Sequence, residues 1–220
     1  MRNFIVSPSI LGADYLHLDE EIERIKANGM KWIHFDVMDG EFVPNISFGN
    51  LFLKRVCQDL DLVKDVHLMI NNPLNKIERF AEVNPDYLTF HYEACKDDAE
   101  VFEIIDKIHS FGIKAGLSIK PGTPISKVFP FLHSLDLVLV MCVEPGKGGQ
   151  TFMDLSLPRI NALKSKIIEE KVPVLISVDG GINDRTCGAC LDSGVDILVV
   201  GQYLFGHKDE YEERYKRLFK

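Results

Sequence analysis

Short apolar runs rich in β-branched residues return along the chain at Phe4 to Pro8, Trp32 to Val37, Val63 to Leu68, Tyr87 to His91, Lys114 to Ile119, Leu137 to Met141, Val174 to Val178 and Ile197 to Val200. Runs of this kind, separated by longer segments, read as strands joined by helical crossovers, and such crossovers pair strands in parallel. The interval Leu18 to Ala27 shows what the spacers are: Leu18, Ile22 and Ile25 fall at helical spacing beneath an acidic face. Eight such units in 220 residues match one closed TIM (β/α)8 barrel of the α/β class. No Ser/Pro-rich linker or charge block divides residues 1–220, so a single domain is expected. An open doubly wound sheet is the alternative that the same alternation allows.

Composition narrows the partners. With 46% apolar residues the chain can bury a core without disulfides, and a net charge of -8 with scattered Lys and Arg offers no basic stripe for a nucleic-acid backbone. No run approaches the ~20 apolar residues of a membrane span. The opening MRNFIVSPSI lacks the pattern of an export signal, and five cysteines in no regular framework fit reduced thiols. A cytoplasmic protein with a small-molecule partner is expected.

Barrel enzymes carry their chemistry at the C-terminal strand ends. In the second run, alternation turns His34 and Asp36 to one side; the third adds His67, and the seventh is followed by Asp179. Two imidazoles and two carboxylates suit a divalent metal: Zn, Fe, Mn or Co. Read singly, each His is an ordinary core residue and each Asp a turn former; together at strand ends they make a candidate metal site. Asp36 and Asp179 on opposite faces of a planar enediolate would remove a proton from one face and return one to the other, inverting the carbon. Met38, Met69 and Met141 point toward the same rim, as a water-excluding cap or as plain core.

The last three units end in glycine turns: Gly146, Lys147, Gly148 and Gly149; Gly180 and Gly181; and Gly201 with Gln202. Glycine lets backbone N–H groups approach an anion, and a helix beginning near Asn183 would add its positive end. A phosphate is expected there without a basic patch.

In Ser7-Pro8-Ser9-Ile10-Leu11, His34-Phe35-Asp36-Val37-Met38-Asp39-Gly40, Phe42-Val43-Pro44-Asn45, Asp65-Val66-His67-Leu68-Met69 and Val178-Asp179-Gly180-Gly181-Ile182, nearly the whole chain resembles the ribulose-phosphate 3-epimerase family. The resemblance implies a metal-dependent barrel isomerase that interconverts D-ribulose 5-phosphate and D-xylulose 5-phosphate in the pentose phosphate pathway. It implies His34, Asp36, His67 and Asp179 as ligands, Asp36 as proton acceptor and Asp179 as proton donor. Ser9 and His67 would touch the sugar, and Gly146 to Gly149, Gly180, Gly181, Gly201 and Gln202 would line the phosphate end. Homo-oligomers are common in the family, so one is expected here. Two positions depart from the pattern: Lys147 replaces an aromatic residue and Gln202 a serine.

A six-carbon relative, D-allulose 6-phosphate 3-epimerase, carries the same kit and ranks second. Decarboxylases and aldolases on related barrels also form enediolates, but the decarboxylases carry Asp-x-Lys-x-x-Asp at the third strand, and Asp65-Val66-His67 lacks the lysine. A non-catalytic phosphate-binding barrel would be expected to lose one aspartate of the pair. Cys187 and Cys190 have redox-pair spacing but fall on an expected outer helix. His91 reads equally as core or pocket, and His17, His109, His133 and His207 as surface residues.

Overall fold

The computed structural model describes residues 4–220. Eight strands form one parallel sheet: β1 (Ile5–Pro8), β2 (Trp32–Met38), β3 (Val63–Met69), β4 (Tyr87–His91), β5 (Lys114–Ile119), β6 (Leu137–Met141), β7 (Leu175–Asp179) and β8 (Ile197–Val200). Each pairs with its sequence neighbour from β2 to β8, and β8 pairs with β1. A parallel bridge between Ser9 and His34 joins the end of β1 to β2. The sheet therefore curls into a nearly closed ring, which rules out the doubly wound alternative.

The outer layer comprises α1 (Leu18–Ala27), α2 (Asn50–Cys57), α3 (Ile77–Ala81), α4 (Asp98–Ser110), α5 (Ser156–Glu170), α6 (Cys187–Asp192), α7 (Gln202–Phe205) and α8 (Tyr211–Arg217). In α4, Asp97 caps the first turn by accepting from the Glu100 N–H. Its buried Val101, Ile104, Ile105 and Ile108 recur at i, i+3, i+4 and i+7, the stripe that docks a helix on a sheet. Between β5 and β6 the crossover is a 3-10 segment, Ile125–Ser134. Pro130 within it has no N–H to give a longer helix, so the chain takes the tighter coil.

Strand alternation sorts the buried residues. Ile33, Phe35, Val66, Leu68, Leu88 and Phe90 face the helices, where they join the main core. Trp32, Tyr87, Leu137, Leu139, Ile197 and Val199 pack in a separate cluster. They share their strands' other parity with His34, Asp36, His67 and His91, which are themselves buried. The barrel interior is therefore apolar toward the strand starts and polar toward their C-terminal ends.

Candidate active site

Register brings the polar residues together. Asp36 on β2 stands opposite His67 on β3, and His34 opposite Asp65. With Asp179 at the end of β7, His34, Asp36 and His67 each offer a ligand atom, all four within 4.8 Å of one another. Asp36 Oδ1 lies 3.3 Å from His34 Nε2 and 3.0 Å from His67 Nδ1. Its other oxygen accepts a 2.6 Å hydrogen bond from Ser9 Oγ. Behind the cluster, His34 Nδ1 lies 2.7 Å from Asp65 Oδ2, and His67 Nε2 lies 2.9 Å from His91 Nε2.

The two aspartates are driven in opposite directions. Burial opposes ionisation of Asp36, but the His34 and His67 imidazoles outweigh it and hold the carboxyl far below the usual range. Burial and the Asp36 charge push Asp179 up to about 7. Burial also disfavours a charged His34, yet the Asp65 and Asp36 carboxylates keep its pKa well above the usual value, whereas burial lowers that of His67.

This donor set fits a cation. Asp65 accepts from His34 Nδ1, leaving Nε2 as the atom this ring offers toward the carboxylate oxygen that His67 Nδ1 also approaches. Donor atoms meeting at one point are held together by positive charge, whether a proton on His34 or a metal ion in its place. Imidazole nitrogens and carboxylate oxygens are the ligands that borderline divalent metals prefer.

Above the cluster opens a cavity of about 520 Å³, lined at its floor by Ser9, Asp36 and Asp179 and by the methionines Met38, Met69 and Met141. Its far side is formed by Gly146, Lys147, Gly148 and Gly149, by Gly180 and Gly181, and by Gly201 and Gln202. The β6 loop is tied down by Asn45, which donates to the Gly146 carbonyl at 2.6 Å, and by Gln150, which donates to the Glu144 and Lys147 carbonyls at 2.7 Å. Gly181 has φ +68, and a Cβ there would stand 2.4 Å from Phe152 N, so no larger residue fits this turn without displacing backbone. His34 and His67 do not line the cavity. Both ring nitrogens of His67 are engaged beneath it, one toward Asp36 and one toward His91.

One reading changes and two are refined. The helix expected from Asn183 begins instead at Cys187, because Asn183 N–H donates to Thr186 Oγ1 and Asn183 Oδ1 accepts from Arg185 N–H in a preceding turn. His207 is exposed but belongs to the cavity rim, together with Arg214. His91 is fully buried against His67. No role for Asp65 or Glu93 is evident from sequence; strand parity marks Asp65 as inward-facing, while Glu93 lies past the end of β4, where parity says nothing. Cys187 and Cys190 are buried thiols on α6, and His17, His109 and His133 lie on the surface beside carboxylates.

Comparison with known proteins gives the same picture. The model of the Ribulose-phosphate 3 epimerase family matches residues 5–205. The ribulose-phosphate 3-epimerase of Treponema pallidum (strain Nichols) is 41% identical over 204 residues, covering 93% of this chain and 92% of that protein. That of Bacillus subtilis (strain 168) is 42% identical over 205 residues, covering 93% of each. Among solved structures, a 3-hexulose-6-phosphate synthase superposes with a TM-score of 0.66 at 16% identity, over 99% of this chain and 98% of that one, a likeness of fold.

Proposed function

The chain belongs to the ribulose-phosphate 3-epimerase family, and from that premise we propose how it converts D-ribulose 5-phosphate into D-xylulose 5-phosphate. Asp36 takes the proton from C3, and the electron pair left behind moves into an enediolate spanning C2 and C3. Asp179 delivers a proton to the opposite face of C3, the C2 carbonyl re-forms, and the carbon is inverted. One observation carries this pairing: Asp36 from β2 and Asp179 from β7 meet in a single cluster, and both line the cavity. Two carboxyls brought to one cavity from separate strands are placed to serve as base and acid.

His34, Asp36, His67 and Asp179 would hold a divalent cation, Zn, Fe, Mn or Co, which would supply positive charge against the negative charge of the enediolate. Ser9 orients Asp36 and meets the sugar. Met38, Met69 and Met141 keep bulk water from the intermediate. Gly146, Gly148, Gly149, Gly180, Gly181 and Gly201 give backbone N–H groups access to the phosphate, with Lys147 and Gln202 beside it. A cytoplasmic homo-oligomer is the working form; free thiols fit a reducing compartment, and no described helix is long and apolar enough to cross a membrane.

The test is product analysis with ribulose 5-phosphate and the metal-loaded protein. Xylulose 5-phosphate is the expected product; a shorter sugar or carbon dioxide would contradict the proposal. Asp179→Asn is expected to keep the fold by circular dichroism and to lose turnover by roughly 10²-fold or more, and near-normal turnover would remove Asp179 from the mechanism.

A further inference from the structure

We infer that Asn45 is a positioning residue for the phosphate end: it orients the Gly146–Lys147 peptide so that the Lys147 N–H points into the cavity, toward the substrate's anion. The inference rests on the proposed placing of the phosphate among the glycine turns, and it adds a side chain outside the cavity that prepares the site. Asn45 Nδ2 donates to the Gly146 carbonyl at 2.6 Å. A carbonyl only accepts, so the Asn45 amide turns its NH₂ and not its oxygen to that partner.

Peptide geometry carries the consequence across the bond. In a trans peptide the C=O and the N–H that follows it point in opposite directions. Gly146 and Lys147 line the cavity, and Asn45 does not. The Gly146 carbonyl is therefore drawn outward, to the loop that follows β2, and the Lys147 N–H faces inward. Among the described residues that N–H donates to no protein atom. The next peptide is held as well, because Gln150 Nε2 donates to the Lys147 carbonyl at 2.7 Å.

Glycine is required at the tethered position. Gly146 has φ +108, and a Cβ there would stand 2.7 Å from Val43 Cβ, so the two loops meet backbone against side chain. The loop that carries Asn45 is itself fixed to β2. Asp39 accepts from the Glu41, Phe42 and Asn71 N–H groups and from Lys76 Nζ. The Gly40 N–H donates to the Asn45 carbonyl at 3.1 Å, and the Ser47 N–H to the Met38 carbonyl at 3.2 Å. Since β2 also carries Asp36, Asn45 sets the phosphate donors from the strand of the proposed base, and so sets the span from the reacting carbon to the phosphate.

Asn45→Asp reverses the tether with little change of shape. The position is exposed, so the carboxylate stays in water. It repels the Gly146 carbonyl and attracts the Lys147 N–H; the glycine lets the peptide turn over, and a carbonyl oxygen then faces the anion. Proton–nitrogen NMR of protein titrated with inorganic phosphate follows the Lys147 amide, and steady-state kinetics follow ribulose 5-phosphate. In the unaltered protein the Lys147 amide is expected to shift with phosphate, together with those of Gly180, Gly181 and Gly201. In Asn45→Asp the Lys147 response is expected to be lost and phosphate to bind roughly 10- to 100-fold more weakly, with KM raised in proportion and kcat within about threefold. Phosphate that shifts the Gly180, Gly181 and Gly201 amides but leaves Lys147 unmoved in the unaltered protein overturns the inference and keeps the phosphate site, even if the variant fails to fold. Phosphate that moves none of the four overturns both. An Asn45→Asp protein with unchanged KM and an unchanged Lys147 response overturns the inference alone.

Discussion

Asp179 and His34 are the residues from which an arriving cation must displace protons. Both carry raised pKa values in the folded protein, Asp179 at about 7 through burial and the Asp36 charge, His34 higher than usual because Asp65 and Asp36 outweigh its burial. A group with a raised folded pKa holds its proton as pH falls, so protonation competes with metal more strongly in acid. Affinity for Zn²⁺ is expected to fall as pH is lowered from about 8 to about 6, with protons released on binding, both measurable by calorimetry in buffers of different ionisation enthalpy. A pH-independent affinity would contradict this. Ser9 Oγ donates to the Asp36 carboxylate at 2.6 Å. Ser9→Ala is expected to lower kcat/KM by roughly 10- to 100-fold, since hydrogen bonds to charged groups contribute about 1.5–3 kcal/mol. The cluster was legible at this scale because alternation alone aligns His34 with Asp36, and chemistry then selects His67 and Asp179. The contacts behind it were not: His91, Glu93 and Lys120 are brought together only by folding.

Among the elements, the strands were readable almost to the residue, since each is a compact apolar run bounded by polar turns. β7 differs most usefully, ending at Asp179 rather than Val178, so the acid stands on the strand and not in the loop beyond it. The 3-10 crossover and the late start of α6 were not readable, because proline geometry and a side-chain-closed turn override the apolar pattern. Ile104 on α4 is wholly buried between helix and sheet. Ile104→Ala is expected to destabilise by about 2–5 kcal/mol in urea unfolding, by loss of transfer energy and the cavity left behind. A change within experimental error would mean that α4 does not bear on the core as described.

At the scale of the whole molecule, the barrel explains how an acidic chain with net charge -8 can serve an anionic sugar. Positive charge is supplied locally, by backbone N–H groups along three neighbouring loops and by Lys147 and Arg214 at the cavity, so no basic surface stripe is needed. The ring also places Asp36 on β2 and Asp179 on β7 around one cavity, far apart in sequence and converging only on closure. The most direct measurement follows isotope during the first turnovers of ribulose 5-phosphate in deuterated water. Separate acid and base groups on two faces should give xylulose 5-phosphate carrying deuterium at C3 from the outset, while the remaining ribulose 5-phosphate stays largely unlabelled. Early product that keeps the original hydrogen at C3 would mean that a single group carries the proton across, and the paired-aspartate mechanism would be wrong.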